Sequence, residues 1–383
     1  MGIDTSIQMT GLGALSALGD DIKAHREAVE GHHVPFCKLG DLLGKASPYA
    51  DFPAAWIAKR EPLTNRKWSP VTMAALQVAK QAVADAGWGE DDLRDAALVV
   101  GTSRGNAAGW LGPWPGRRPF KLMAASNTMH GEAASAISIE LGVAGPNHVI
   151  STGCAAGLDA VGVARMILQL GHAQRALVVA VELPLVEVLL DQYANAGLLS
   201  KSMKADPYAP DTSGFIPAEA AAGLCLEVGG KHAKGPRLLD FRSNSDARDP
   251  IGIPGDGGRI PQLLMAMNTD TAEVAAVCPH ATGTAVQAVA DPAALSRAFP
   301  QKKPSLHLLK PYIGHAIGAS GLIETVIMAE FLRGRKLPPN LAGLHVPEGF
   351  EMPHQTTTAT GPVVKLSHGM GGHNALLLMG VPD

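Results

Sequence analysis

Apolar segments of strand length alternate with helical patterns along almost the whole chain, as in 97–100 and 274–277. This alternation predicts an α/β fold whose strands are largely buried. The composition agrees, because 46% hydrophobic and only 17% charged residues favour well-buried elements over a disordered or fibrous chain. The low charged fraction also predicts an oligomer. With 383 residues, the chain is long enough for two or three units or for one large α/β body.

The two halves of the chain resemble each other in the order of their segments. In the first half, the strand at 97–100 is followed by a second strand that leads to Cys154. In the second half, the strand at 274–277 leads to His280, and a strand at 306–309 precedes His315. Each half then ends in a strand-rich section, at 175–182 and 220–228 in the first half and at 363–367 and 374–380 in the second. This order predicts an internal duplication, with residues 1–228 as one half and 229–383 as the other.

Charge and cysteine usage restrict the cellular setting. A net charge of -3 and a pI near 6.5 give no electrostatic reason to expect nucleic acid or an anionic membrane as the main partner. The four cysteines show no paired CxxC spacing, so neither a disulfide framework nor a structural zinc site is indicated. The sequence has neither a signal-like N-terminus nor an apolar stretch of about 18 residues. We therefore expect a soluble cytoplasmic protein.

Cys154 lies in the segment Ser-Thr-Gly-Cys-Ala-Ala-Gly at 151–157, between a predicted strand and a helix of small residues. A thiol at the start of a helix faces unpaired N–H groups and a positive dipole end, which favour the thiolate. This setting is typical of a nucleophile, and the neighbouring glycine and alanine residues allow close approach of a substrate. A buried structural cysteine is the alternative. Cys225 and Cys278 fit that description better.

His280 and His315 each lie on a glycine-containing turn after an apolar strand. A single histidine in such a place is usually structural. Three strand-to-turn junctions with Cys, His and His are less easily dismissed, because ligands of α/β sheets bind where strands end. These three residue types are also acceptable zinc ligands, so a zinc site is a further alternative.

Four segments resemble the signature blocks of the β-ketoacyl-[acyl carrier protein] synthases. They are 151–157, 280–284, 310–321 and 366–374. They occur in the family's order, and the resemblance extends from the first strand, at Ile7, to the last. The block from Lys310 to His315, followed by Glu324, resembles the elongating, Cys-His-His branch. The resemblance implies a thiolase-like fold, with two pseudo-duplicated βαβαβαββ halves in a five-layered α-β-α-β-α arrangement.

The resemblance also implies a two-step reaction. Cys154 takes an acyl chain from a carrier protein, and a malonyl thioester then loses carbon dioxide and attacks the acyl-cysteine. His280 and His315 stabilise the enolate. The resemblance further implies that Lys310 and Glu324 organise the site. The backbone N–H groups of Cys154 and Met370 form the implied oxyanion hole, and Met370 is also the implied gate. Substrate binding is implied for Thr282, Thr284, Gly371 and Gly372.

The same resemblance implies acyl carrier protein as the partner, in its acyl and malonyl forms. No metal and no tightly bound cofactor are implied, because phosphopantetheine arrives on the carrier protein. We expect a dimer, either of identical chains or with a related ketosynthase-like subunit. The pathway that the resemblance implies is fatty acid or specialised polyketide or polyene synthesis. A non-catalytic partner subunit that sets chain length is the alternative, but such subunits normally lack the cysteine.

The chain departs from the family pattern at several positions. Ala281 occupies a position where the family prefers glycine, and Asp291 is the nearest residue able to supply the usual carboxylate. His368 and Met370 replace two aromatic residues, and His373 replaces a threonine. These changes predict an altered acyl selectivity.

Overall fold

The structure is a computed structural model that describes residues 6–111, 130–229, 235–249 and 252–382. Its strands are β1 (Ile7–Ser16), β2 (Cys37–Lys38), β3 (Pro53–Ala54), β4 (Ala97–Gly101), β5 (Asn147–Ile150), β6 (Arg175–Glu182), β7 (Ala220–Val228), β8 (Arg237–Ser245), β9 (Ala276–Cys278), β10 (Ser305–Leu306), β11 (Lys336–Leu337), β12 (Thr357–Thr358), β13 (Val363–Gly369) and β14 (His373–Gly380). Its α-helices are α1 (Ile22–Glu30), α2 (Gly40–Leu43), α3 (Pro70–Ala86), α4 (Glu90–Arg94), α5 (Ala107–Leu111), α6 (Glu132–Leu141), α7 (Ala156–Gln169), α8 (Glu187–Asn195), α9 (Ile260–Met265), α10 (Ala285–Ala298), α11 (Lys310–Ile313) and α12 (Ser320–Arg333).

Ten strands form one sheet in the order β10-β9-β13-β14-β8-β1-β7-β6-β4-β5. The sheet consists of two groups of five strands, joined by a short antiparallel contact of β1 with β8 at Ile7 and Gln8. Read outward from that contact, the groups are β1-β7-β6-β4-β5 and β8-β14-β13-β9-β10. The corresponding strands also pair in the same directions. This correspondence confirms the duplicated α/β architecture.

The helices complete five layers. Helices α7 and α12 pack against each other and against both strand groups, so they form the middle layer. Helices α3 and α6 cover the outer face of the first group, and α9 and α10 cover that of the second. The middle layer is tightly packed, because a β-carbon added to Gly157 on α7 would lie 2.8 Å from the Gly318 carbonyl oxygen.

The predicted strand at 306–309 is shorter than expected. Strand β10 ends at Leu306, and α11 begins at Lys310. The Leu308 N–H donates to the side chain of Asn340 at 2.8 Å instead of to a neighbouring strand. This side-chain bond ends the ladder early. Similarly, β9 begins at Ala276 rather than at residue 274.

None of the helices in the described ranges is long and apolar enough to cross a membrane.

Candidate active site

Cys154 lies in a 3-10 turn, Gly153–Ala155, between β5 and α7. Gly153 has φ 62°, a left-handed conformation that glycine adopts without steric cost. Cys154 is 7% exposed. The turn therefore places the thiol at the end of a strand and directly before the middle-layer helix.

The end of β13 packs closely against this turn. A β-carbon on Gly369 would lie 2.7 Å from the Thr152 carbonyl oxygen and 3.7 Å from the Cys154 backbone nitrogen, so only glycine fits. This close approach brings the backbone of Met370 beside that of Cys154, as the predicted oxyanion hole requires. The Met370 side chain is 37% exposed and lines the same cavity as Cys154.

His315 lies closest to the thiol, with its Nε2 3.3 Å from Cys154 Sγ. Its Nδ1 is 3.0 Å from the buried Ser320 Oγ. No other hydrogen bond of this hydroxyl is found among the described residues, and an unpaired buried O–H is costly. The hydroxyl therefore donates to Nδ1, and the neutral ring carries its proton on Nε2, which faces Cys154.

His280 follows β9 and packs edge-to-face on His315, with ring centroids 5.4 Å apart. The next residue, Ala281, adopts φ 44°, which costs a residue with a β-carbon about 1–2 kcal/mol. Its N–H donates to Asp291 Oδ2 at 2.8 Å. The replacement of the family's glycine by Ala281 is thus accommodated in a strained turn that Asp291 anchors.

Both histidines are neutral. Burial lowers the pKa of each ring well below its usual value, and the positive charge of Lys310 lowers it further. A neutral imidazole is a hydrogen-bond donor through one nitrogen only. His280 Nδ1 is buried without a hydrogen-bond partner among the described residues, so its proton is better placed on Nε2.

The thiol of Cys154 differs from the sequence-based expectation. Burial raises its pKa to about 11, although the positive charges of Arg104 and Lys310 act to lower it. Desolvation outweighs the effect expected from the helix terminus, because the residue is enclosed before α7 begins. Cys154 is therefore a thiol rather than a thiolate in the resting protein.

A buried ion cluster lies behind His280. Lys310 Nζ is 2.6 Å from Glu324 Oε1, and Lys365 forms an ion pair with the other oxygen of the same carboxylate. The pairing of Lys310 with Glu324 is the one that the family resemblance implies. Lys365 was not identified from the sequence. A lysine within the fully buried strand β13 is the signal that identifies it, since a buried lysine needs a partner.

Two adjoining cavities meet at His315. The first, which we call the Cys154 cavity, has a volume of about 330 Å³ and is lined by Cys154, His280, Thr282, Thr284 and mostly apolar side chains. The second, the Lys204 cavity, has about 290 Å³ and is more polar. Thr284 also caps α10, so it has a structural role as well. Gly371 and Gly372 have φ 89° and 75° and form the turn between β13 and β14.

A further carboxylate, that of Glu182, lies near Cys154 and was not identified from the sequence. Glu182, at the end of β6, accepts backbone N–H groups from Ser103 at 2.7 Å, Arg104 at 2.8 Å and Gly318 at 3.2 Å. Burial raises its pKa to about 7. Arg104 Nε donates to Tyr193 OH at 3.1 Å. Glu182 thus fixes the turn after His315 against the loop after β4.

The described residues include no group of three or more His, Cys, Asp or Glu side chains arranged to hold a metal ion. The zinc alternative therefore has no support in this part of the chain.

A duplicated five-layer α/β fold with a cysteine and two neutral histidines at its centre defines a condensing enzyme of thiolase-like fold. The N-terminal domain of the β-ketoacyl synthases matches residues 45–232, and their C-terminal domain matches 240–343. The two matches together cover more than half of the chain. The chain therefore belongs to the β-ketoacyl synthase family, whose members are acyltransferases that form carbon–carbon bonds.

A curated relative and two solved structures agree with this assignment. The 3-oxoacyl-[acyl-carrier-protein] synthase 2 of Rhizobium meliloti (strain 1021) is 27% identical over 349 residues, 83% of this chain and 82% of the relative. A type II polyketide ketosynthase bound to its acyl carrier protein and a hexaketide, AntDE:AntF, has a TM-score of 0.84 at 22% identity, covering 99% of this chain and 100% of that chain. The ishigamide ketosynthase/chain length factor has a TM-score of 0.86 at 19% identity, with the same coverage. These similarities confirm the expected thiolase-like fold.

Proposed function

We propose that this β-ketoacyl synthase holds an acyl chain on Cys154 and extends it by decarboxylative condensation with a malonyl thioester. The observation that carries the proposal is the 3.3 Å contact of Cys154 Sγ with His315 Nε2, together with the second neutral imidazole of His280. A nucleophile and two N–H donors within one buried cavity are what this chemistry needs.

In the first step, Cys154 Sγ forms a bond to the acyl carbon while the bond from that carbon to the carrier thiol breaks. The thiol proton leaves Cys154 and ends on the departing carrier thiol, so the step is balanced. The His315 N–H, Arg104 and Lys310 stabilise negative charge on sulfur as it develops. The oxyanion is placed between the backbone N–H groups of Cys154 and Met370.

In the second step, the malonyl carboxyl leaves as carbon dioxide, and its bonding electrons remain as an enolate. The N–H groups of His280 and His315 donate to the enolate oxygen. The enolate carbon then bonds to the acyl carbon, and the bond to Cys154 Sγ breaks. One proton from solvent restores the thiol. Because both rings are neutral and fixed, they need little reorganisation as the charge develops.

The remaining groups organise the site. We infer that Lys310 and Glu324 act as a fixed pair that keeps both imidazoles neutral. Thr282 and Thr284 line the Cys154 cavity, and their hydroxyls are suited to hold the amide groups of a phosphopantetheine arm. That arm is part of the substrate, so we propose that the protein needs no tightly bound cofactor.

We further propose acyl carrier protein as the substrate carrier and a second ketosynthase-like chain as the partner. Strand β5 is at one end of the sheet, and its residues are exposed or half-buried. Such an edge is normally covered in a stable protein, and a two-fold partner covers it most simply. The partner is identical or related. Four free cysteines support a reducing compartment, and we propose the cytoplasm.

The test is the intact mass of the protein after incubation with hexanoyl, octanoyl and 4-hydroxybenzoyl thioesters of acyl carrier protein. We expect one acyl adduct on the native chain and none on Cys154→Ala. Malonyl carrier protein should then discharge the adduct. Cys225→Ala, which removes a buried cysteine of β7, is the matched control and should load normally.

His280→Ala and His315→Ala should load but fail to condense. Loading of Cys154→Ala at the native rate would contradict the proposal. If no donor modifies the native chain, alone or with a co-expressed ketosynthase, the non-catalytic partner subunit becomes the better explanation.

A further inference from the structure

The turn between β13 and β14, which we call the Met370 turn, consists of residues 370–372 and carries one of the two N–H groups assigned to the oxyanion hole. A β-carbon on Gly371 would meet no atom within 4 Å, so one side of the turn is open. Among the described residues, no backbone hydrogen bond joins this turn to the nucleophile segment, residues 151–155. Backbone pairing therefore leaves the turn unattached to the segment that it must complete.

An ion pair joins the two segments instead. His373, the first residue of β14, places its Nε2 2.6 Å from Asp159 Oδ2. Asp159 lies in the first turn of α7, and the same carboxylate oxygen accepts a hydrogen bond from Thr152 Oγ1. The described part of the chain shows no other polar contact between the strand ends at the Met370 turn and the nucleophile segment. Asp159 is thus bound to both sides of the junction.

The contact between His373 and Asp159 is ionic. Asp159 raises the pKa of His373 above its usual value, although partial burial acts to lower it. The side chains of His373 and Asp159 are 28% and 9% exposed, so solvent screens their charges only in part. The ring N–H is not aligned on the carboxylate, because the buried Nε2 has no partner with hydrogen-bond geometry among the described residues. The threonine that His373 replaces has no charge with which to form such a pair.

The oxyanion hole is assembled from two separate parts of the chain. Its donors are the N–H of Cys154 in the first half and the N–H of Met370 in the second, and a β-carbon on Gly153 would lie 3.8 Å from the Met370 nitrogen. Such donors must lie about 2.7–3.1 Å from the developing oxyanion, and the loss of one costs about 100- to 1,000-fold in kcat. A small displacement of the Met370 turn therefore slows catalysis, even if every other part of the site is intact.

We propose that His373 and Asp159 are a positioning pair, which holds the Met370 N–H at the distance from the Cys154 N–H that the oxyanion requires. This inference rests on the proposed acyl transfer to Cys154. Neither side chain of the pair lines the Cys154 cavity, so the pair acts through the backbone rather than on the substrate. An oxyanion forms in acyl loading and again when the enolate attacks the acyl-cysteine, and the pair serves both steps. The two imidazoles, by contrast, serve condensation alone.

The experiment measures single-turnover loading of a hexanoyl group from its N-acetylcysteamine thioester, by intact mass, over a range of thioester concentrations. His373→Gln and Asp159→Asn should each lower the maximal rate constant by about tenfold, since a donor displaced by about 1 Å costs up to about 100-fold. The half-saturating concentration should change by less than about twofold, because the lost interaction acts in the transition state. The double variant should be no slower than the slower single variant, because each single change already breaks the pair.

Arg165→Gln is the matched control. Arg165 lies on α7 about 9 Å beyond Asp159 along the helix axis, and its 3.2 Å ion pair with Asp240 of β8 also joins the two halves of the chain. This variant should load at the wild-type rate, so it separates a general loosening of the halves from positioning of the Met370 turn. Circular dichroism checks that every variant is folded.

Two results would overturn the proposal. One is an equal maximal rate for His373→Gln and Arg165→Gln, and the other is a His373→Gln defect confined to the half-saturating concentration. Failure of the proposed function itself is distinguishable, because the wild-type protein would then form no acyl adduct at any thioester concentration.

Discussion

Replacing Glu324 by Gln should strongly destabilise the fold, because Glu324 is the only carboxylate that the described residues place within 4 Å of either Lys310 or Lys365. All three side chains are buried. Removing one partner of a buried ion pair typically costs about 3–5 kcal/mol, since it leaves a buried charge uncompensated. For a chain of 383 residues, an unfolding entropy of about 2.1 cal/mol/K per residue converts about 4 kcal/mol into a Tm decrease of about 5 °C.

The same helix provides the control. Glu330 also contacts two cations, Arg26 at 3.4 Å and Arg333 at 3.2 Å, but these side chains are partly exposed. Such pairs contribute about 1 kcal/mol or less, so Glu330→Gln should lower Tm by about 1 °C. The assay is thermal unfolding followed by circular dichroism, with the urea midpoint as a second measure. Equal shifts for Glu324→Gln and Glu330→Gln would refute the reasoning.

A double variant sharpens this test. Glu324→Gln leaves two buried ammonium groups facing each other, and adding Lys365→Met removes one of them. The double variant should therefore be more stable than the sum of the single changes predicts, with a coupling of about 1–3 kcal/mol. Strict additivity would show that Glu324 and Lys365 contribute independently to stability.

Three further predictions concern single positions. Burial lowers the pKa of His25 from 6.5 to about 4. Below pH 6.5 the unfolded state therefore binds more protons than the native state. This difference lowers the unfolding free energy of wild type by about 2 kcal/mol between pH 7.5 and 5. Denaturant titrations of His25→Gln should show a decrease smaller by that amount, and an unchanged pH dependence would be evidence against a neutral buried ring. Ala281→Gly should raise the unfolding free energy by about 1 kcal/mol, because glycine adopts φ 44° without strain; a loss of stability would count against strain there. Gly157→Val should lower stability by about 1–3 kcal/mol, because its side chain would clash with the Gly318 carbonyl oxygen in the turn before α12. A native Tm for this variant would contradict the close packing of the middle layer.

The sequence predicted the positions that depend on local chain geometry. The strand before Cys154 and the turns at His280 and His315 are set by short segments with characteristic glycines, so their pattern is readable along the chain. The partner of Lys310 was implied only by the family resemblance. The same segments predicted the duplicated α/β class, and the bounds of β6 and β7 agree with the strand-rich sections that end the first half.

Other parts of the site depend on contacts between distant segments, which no local pattern encodes. Lys365 finds its partner on α12, Glu182 binds backbone groups of two separate loops, and His368 meets Asp291 from α10. The thiolate form of Cys154 was wrongly expected for the same reason. The helix terminus is visible in the sequence, whereas the enclosure of the thiol by β13 and the turn after His315 is a tertiary property.

The matching strand orders of the two halves have a consequence for how the site is held together. Each half supplies one middle-layer helix of the same length, α7 and α12, both with 14 residues and both preceded by a 3-10 turn. Cys154 lies in the first of these turns, and His315 lies two residues before the second. The nucleophile and its nearest imidazole thus occupy corresponding places in the two halves. Their separation is therefore set by a single helix crossing, that of α7 with α12, so a change in this crossing would move the thiol and the imidazole apart even if each half kept its own structure.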